Sequence, residues 1–232
     1  MLLNVADFDI ELEFLFERTK DYFKGFEAKS NAKPCVSFSI TEQELEQEKN
    51  CSLKAKDEYF EFIALQRKIS EWLPLHNTIL LHSATFCVDN KGVALAAPSG
   101  TGKSTHLLLW QKLLGERLTI INGDKPFIRF IDNVPVAFGS AWRGKERLGG
   151  NSKARLCHIC FIERAKENSC EEISKGEVTD LLFRQIYLPK NPQALQNTLA
   201  LVNELINTCQ FWKIKCNMDI SAAQTAYDKI FG

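Results

Sequence analysis

Nine residues, Ala97-Pro98-Ser99-Gly100-Thr101-Gly102-Lys103-Ser104-Thr105, constrain this chain more than any other stretch. Backbone N–H groups can cradle a polyphosphate only where no Cβ obstructs them, and Gly100 and Gly102 supply that clearance together with access to positive φ. Ser99 and Thr101 fill out the cradle, and Lys103 reaches the β- and γ-phosphates. Ser104 offers a hydroxyl to Mg²⁺, and Thr105 opens a helix whose unpaired amides and dipole favour an anion. The pattern G-x-x-x-x-G-K-[ST] begins with Gly, and here Ala97, the mildest replacement, stands first. The competing reading is an ordinary Gly/Ser/Thr turn, and context separates the two: a strand must precede the loop and a helix must follow. Residues 93–96 are a short apolar run. Residues 106–114 carry Leu107, Leu108, Trp110 and Leu114 at near-helical spacing before Gly115 stops them.

The neighbouring stretches are read around that loop. Residues 79–88 form a strand, and Asp89-Asn90-Lys91-Gly92 turns it back into residues 93–96, which predicts an antiparallel hairpin. In the common doubly wound nucleotide-binding folds, the strand feeding the loop instead lies in a parallel sheet with long crossovers. Residues 118–121 read as a buried strand delivering Asn122-Gly123-Asp124-Lys125-Pro126. An acid at a strand's end after a phosphate loop is where nucleotide-bound Mg²⁺ receives its carboxylate, so Asp124 is the candidate; a plain Asn-Gly-Asp turn is the alternative. Residues 127–131 and 134–138 form a second hairpin, turned by Asp132-Asn133. Residues 139–150 then hold four glycines and three cations. That composition suits a mobile segment that folds over phosphates and brings Arg143 and Lys145 to developing charge, with a solvated loop as the other reading.

The opening third carries no motif. Residues 9–16 alternate polar and apolar as a half-buried strand, which suggests an antiparallel edge, residues 35–40 repeat the pattern, and Thr41 with Glu44 makes a capping box. A helix over about 57–73 turns Phe60, Ile63, Ala64 and Ile69 inward and leaves its charges on a solvated face. Past the centre come strands at 154–163 and 170–173, an amphipathic helix at 178–187, and a helix from Asn191-Pro192 to about 207. A strand at 211–216 and a helix at 221–231 follow. The whole predicts one mixed α/β domain over 1–232 with α+β character and largely antiparallel sheets. Residues 1–75 form a variable N-terminal part, residues 76–232 the core around the loop, and the C-terminal part is helical.

Composition narrows the partners. Basic and acidic side chains number 29 each, so there is no net field to attract a nucleic acid or an anionic membrane, although local basic patches remain open. The first residues lack a cationic leader, and no apolar run is long enough to span a bilayer, so a cytoplasmic protein is expected. The eight cysteines, among them Cys51, then read as free thiols. Cys157 and Cys160 lie in a strand-like run that points them to opposite faces, and no second CxxC completes a metal site. His106 and His158 read as structural or surface residues.

Leu81-His82-Ser83-Ala84, the hairpin, Ser99 to Ser104 and Gly123-Asp124 together resemble the catalytic domain of HPr kinase/phosphorylase. The same residues are similar, more distantly, to phosphoenolpyruvate carboxykinase, and to small stand-alone HPr-kinase-like proteins. The resemblance covers residues 79–174 well and the C-terminal elements loosely. It implies an HPr kinase/phosphoenolpyruvate carboxykinase-like fold, with ATP or GTP and Mg²⁺ as cofactors and His82 near the transferred phosphate. The family pairs two aspartates where this chain has Asp124-Lys125, and the longer signature for binding HPr is missing. His82 is then the expected hydroxyl-side base, a role that histidine as a residue type suits near neutrality.

The expected reaction moves a γ-phosphoryl to a hydroxyl, either a serine of a peptide or protein or a small metabolite. A homo-oligomer is compatible with it. The Asp-Lys pair motivates the alternative of a nucleotide sensor without catalysis. A carboxykinase-like enzyme acting on a small acid is a third reading, and it would need more metal ligands than four histidines assemble.

Overall fold

A computed structural model describes residues 1–29, 31–50 and 54–232; Cys51 lies outside them. The chain runs β1 (Leu2–Val5), β2 (Phe8–Leu12), β3 (Val36–Phe38), α1 (Glu42–Lys49), α2 (Asp57–Trp72), β4 (Thr78–Leu80), β5 (Ser83–Val88), β6 (Lys91–Ala96) and α3 (Lys103–Leu114). It continues through β7 (Leu118–Asn122), β8 (Phe127–Ile131), β9 (Val134–Phe138), β10 (Lys153–Arg164), β11 (Ser169–Glu172), α4 (Lys175–Phe183), α5 (Pro192–Thr208), β12 (Gln210–Cys216) and α6 (Ile220–Phe231). This is a mixed α/β architecture, and among the described residues no helix is long and apolar enough to cross a membrane.

Among the described residues two sheets carry it: a small one in the order β1-β2-β3, and a nine-stranded one in the order β4-β8-β9-β10-β6-β5-β7 with β12 on β10 and β11 on β12. The long strand β10 joins the halves. Its first residues pair antiparallel with β9, and its later ones run parallel to both β6 and β12. The strand feeding the glycine loop thus has an antiparallel hairpin partner, β5, on one side and a parallel neighbour on the other. Asp89 and Asn90 turn that hairpin with φ of 47° and 64°, the left-handed pair that matches the twist of its strands.

Alternation places the core. On β6, Val93 and Leu95 face one side with Phe86, Leu107, Trp110 and Ala226, beneath α3 and α6. Ala94 and Ala96 face the other with Val178, Leu182, Leu201 and Leu205 of α4 and α5. Strand β10 obeys the same period of two, with Ile159 and Phe161 on the second side and Cys160 and Ile162 on the first. Trp110 is fully buried, and a side chain of that class contributes about 1.5–3 kcal/mol by leaving water. A third core joins the small sheet, α2, β8 and Trp142.

Several expectations are adjusted. The strand expected over 79–88 is two strands broken at Leu81-His82: β4 pairs with β8, whereas β5 pairs with β6 and β7. The strand expected over 9–16 as an antiparallel edge stops at Leu12 and is the central strand of the small sheet, antiparallel to β1 and parallel to β3. The expected capping box is present at Thr41 and Glu44. On α2 the charges are not all solvated: Glu61 is buried and accepts from Leu15 N (2.6 Å), Phe16 N (3.2 Å) and Thr19 Oγ1 (2.5 Å). A buried carboxylate is tolerated only with such donors, so Glu61 fixes the chain that leaves β2. His106 and His158 are both core residues whose burial holds the imidazole pKa down to about 4.

Candidate functional site

The loop at 97–105 leaves β6 and turns directly into α3. Gly100 and Gly102 adopt φ of +78° and +122°, and a Cβ built on either meets nothing within 4 Å, so backbone conformation selects glycine here. Thr101 N donates to Pro98 O (3.3 Å), and His106 N to Gly102 O (2.9 Å) starts the helix. Lys103 folds back over the loop and donates from Nζ to Ala97 O at 2.9 Å. Its side chain is 7 % exposed yet lines the cleft; burial lowers its pKa, partly offset by Asp124. An ammonium desolvated in this way gains from any anion that reaches it.

The carbonyls of the loop are held from behind. Arg164, at the end of β10, donates from Nε to Thr101 O at 2.9 Å and from Nη2 to Gly100 O. The parallel register pairs Phe161 with Ala96, so three residues further on β10 must lie beside the loop. That register, invisible in the sequence, is the signal that would have found Arg164. In open α/β sheets the groups that build a site gather at the carboxyl ends of parallel strands.

Asp124 lies just past the end of β7. His82 Nε2 lies 3.3 Å from its Oδ1, and Lys125 Nζ 2.9 Å from its Oδ2. Burial works to raise its pKa, but the hydrogen bond from His82 and the charge of Lys125 together outweigh it and hold the carboxyl at about 2. Asn122, fully buried, aims this acid: its Oδ1 accepts from Asp124 N (2.8 Å) and Lys125 N (2.7 Å), while its Nδ2 donates to Ser140 O (3.0 Å). Ser83 N donates to Asp124 O at 2.9 Å, and His82 N donates to Gln185 O at 2.7 Å. The break between β4 and β5 therefore delivers His82 to Asp124; an unbroken strand would carry it along the sheet.

The glycine-rich segment at 139–150 is tied down. Gly123 N donates to Leu148 O (3.0 Å), Gly150 N to Ile121 O (3.3 Å), and the buried Trp142 donates from Nε1 to Phe62 O on α2 (3.0 Å). Only its tip, residues 144–147, is exposed. Arg143 is half-buried, donates to Gly149 O at 3.1 Å and lies 5.6 Å over the Phe26 ring, with its pKa lowered by burial and by Arg147. Lys145 is exposed at the tip, and both side chains line the cleft.

A cleft of about 1060 Å³ unites these groups. Its lining includes Ser99, Gly100, Gly102, Lys103, Ser104 and Thr105 of the loop together with His82, Asp124 and Lys125. The N-terminal part also lines it, with Tyr22, Tyr59, Phe62 and Gln66. No motif flagged this contribution, because Tyr59, Phe62 and Gln66 belong to an ordinary helix, α2, and Tyr22 to a short helical turn at Glu17–Phe23. A shallower hollow of about 500 Å³, bounded by Thr101, Ile162 and Arg164 among others, lies behind the loop. Among the described residues no group of three or more His, Cys, Asp or Glu side chains comes together to hold a metal ion, and Cys157 and Cys160 are free thiols.

No family model and no curated protein sequence matches the chain. Among solved structures it is similar to the "Hpr(Ser) kinase/phosphatase from Coxiella burnetii", at 10% identity and a TM-score of 0.31, over 53% of this chain and 86% of that one. A score that low assigns neither fold nor activity, and the reading below rests on the geometry.

Proposed function

We propose that the chain is an ATP-dependent phosphotransferase that moves the γ-phosphoryl to a hydroxyl, on an HPr-kinase-like core. The observation that carries this is a glycine loop at a helix N-terminus whose lysine shares one cleft with the acid just past β7. Ser99 to Thr105 would hold the triphosphate of ATP or GTP: backbone N–H groups and the end of α3 receive its oxygens, and Lys103 exchanges its bond to Ala97 O for one to phosphate. The donor set also fits Mg²⁺, a hard cation held in such enzymes by one or two oxygen ligands plus the nucleotide, with no all-protein cage. Here the donors are the Ser104 hydroxyl and the ionised Asp124. Bound there, Mg²⁺ would supply neutralisation of the phosphate charge. Both oxygens of Asp124 are already engaged, so a metal ligand role takes the place of His82 or Lys125 at one of them.

His82, released or retained, stands where an acceptor hydroxyl would be oriented and deprotonated, and Arg143 and Lys145 would counter the charge of the transferring group. Phosphoryl transfer needs in-line positioning and charge neutralisation more than a strong base, so the single aspartate suffices. The expected result is that Lys103→Ala abolishes ATP turnover while circular dichroism shows the fold intact; full turnover in that variant sinks the reading. The alternative of a sensor is favoured by one observation, the Lys125–Asp124 pair at 2.9 Å that ties up a metal oxygen. Incubation with labelled ATP and hydroxyl acceptors separates them, because a sensor binds and transfers nothing.

A further inference from the structure

His82 lies where the chain changes sheet partners: β4 ends at Leu80 on β8, and β5 begins at Ser83 on β6 and β7. Between them two other segments hold the main chain. From the first, Pro126 O accepts from Leu81 N at 3.2 Å and Asp124 O from Ser83 N at 2.9 Å. From the second, Gln185 O accepts from His82 N at 2.7 Å, and Tyr187 N donates to Leu80 O at 3.1 Å, around one antiparallel bridge between Leu81 and Ile186. A lone bridge does not sustain itself, since even an isolated two-stranded hairpin is marginal in water. The segment at 185–187 therefore needs an anchor of its own.

Glu71, in the last turn of α2, supplies it. Its Oε1 accepts from the Tyr187 hydroxyl and from Lys190 N, both at 2.9 Å; its Oε2 accepts from Lys190 N at 2.9 Å and from Asn191 N at 3.1 Å. Hydrogen bonds to a carboxylate are roughly twice as strong as neutral ones, so this convergence pins residues 187–191 to α2. Burial and the neighbouring Glu71 carboxylate raise the Tyr187 pKa, which keeps the phenol a donor. Tyr187 and His82 line the cleft, whereas Glu71 does not. The helix that lines the cleft with Tyr59, Phe62 and Gln66 thus reaches His82 through a second, remote set of bonds.

We infer that Glu71 is a positioning residue for His82: by holding residues 187–191 it keeps the 185–187 segment on the broken strand, and so keeps the imidazole 3.3 Å from Asp124. The inference rests on the phosphotransferase reading, in which His82 meets the acceptor hydroxyl, and it gives α2, in the motif-free N-terminal third, a part in turnover. A misplacement of about 1 Å caused far from the chemistry can cost about 100-fold in rate, so a clamp outside the cleft is felt inside it.

The test follows ADP release from Mg²⁺-ATP by the full chain, with water as the acceptor, together with amide hydrogen exchange read residue by residue. Glu71→Gln keeps the size of the side chain but turns an amide N–H₂ toward the donors it must accept from. It should lower kcat about tenfold with the KM for ATP nearly unchanged, and the His82 amide should exchange at least about tenfold faster. Tyr187→Phe removes the phenol bond alone and should move both readings the same way, by about threefold; it serves if Glu71→Gln fails to fold. Lys68→Met cuts a different tie of the same helix, to Ser39 O at 2.9 Å and Glu44 Oε1 at 2.8 Å, and should change neither reading. In a His82→Ala chain, Glu71→Gln should cost nothing further in kcat, because no imidazole is left to place; a merely structural tie costs as much in either background. Equal losses in the two backgrounds overturn the inference, and so does a His82 amide that exchanges at the parent rate in both clamp variants. Failure of the underlying reading looks different: the parent binds ATP and releases no ADP, or turnover persists in Lys103→Ala, and the exchange result then decides the clamp by itself.

Discussion

The loops at 97–105 and 139–150 are alike in composition, glycine-rich and cationic, and differ in what glycine does for them. In the first, Gly100 and Gly102 take positive φ in open space, and their missing side chains leave room for a ligand. In the second, Gly139 and Gly149 are close-packed, although Gly150 is not: a Cβ on Gly139 would stand 1.8 Å from Gly150 O, and one on Gly149 2.4 Å from Ile121 O. The first loop stands open to the cleft and is braced from behind by Arg164. The second is built into the sheet end, with Trp142 as its anchor, and offers only a short exposed tip. The expectation of a mobile cover over 139–150 therefore reduces to residues 144–147.

The comparison breaks most visibly by adding one methyl to each loop. Gly139→Ala should cost more than about 4 kcal/mol or prevent folding, whereas Gly100→Ala should cost only about 1–2 kcal/mol, the conformational penalty for a left-handed alanine. Urea unfolding of both variants measures the contrast, and similar losses would refute it.

An intermediate effect lies at Asp124, where the loops meet. Its carboxyl is 23 % exposed and its pKa is about 2 in the fold against an ordinary 3.8. The stabilisation that follows is present above pH about 4 and is lost as pH falls toward 2, and it amounts to on the order of 2 kcal/mol. Unfolding free energy measured down that range should show the decline, and Asp124→Asn should flatten it. An unchanged slope in the variant would show that Asp124 is not the group responsible.

The smallest effect expected is at the brace. Arg164→Met should weaken ATP binding by about tenfold, or about 1.4 kcal/mol, and leave the unfolding midpoint nearly unchanged. Calorimetric titration checks the first and thermal denaturation the second. A variant that binds ATP as tightly as the parent would mean that the loop holds its own shape.

Much of the local structure was legible because it depends on neighbours in sequence. The hairpins at Asp89-Asn90 and Asp132-Asn133 follow from turn residues that accept positive φ, the box at Thr41 from a three-residue spacing, and the helix at Pro192 from an Asn cap. The break at Leu81-His82 was not legible, since an apolar run looks the same whether it serves one strand or two. Neither was the burial of Glu61, whose three donors come from 42 to 46 residues earlier.

By itself the sequence determined the glycine loop, the helix it opens, the acid at the end of β7 and the mixed α/β class, because each rests on residue type and short spacing. Only the tertiary structure decided that His82 meets Asp124, that Arg164 braces the loop, and that α2 lines the cleft with Gln66 and its aromatic neighbours. Those outcomes depend on strand register and on where a broken strand changes partners, and contacts between residues far apart in the chain leave no local trace.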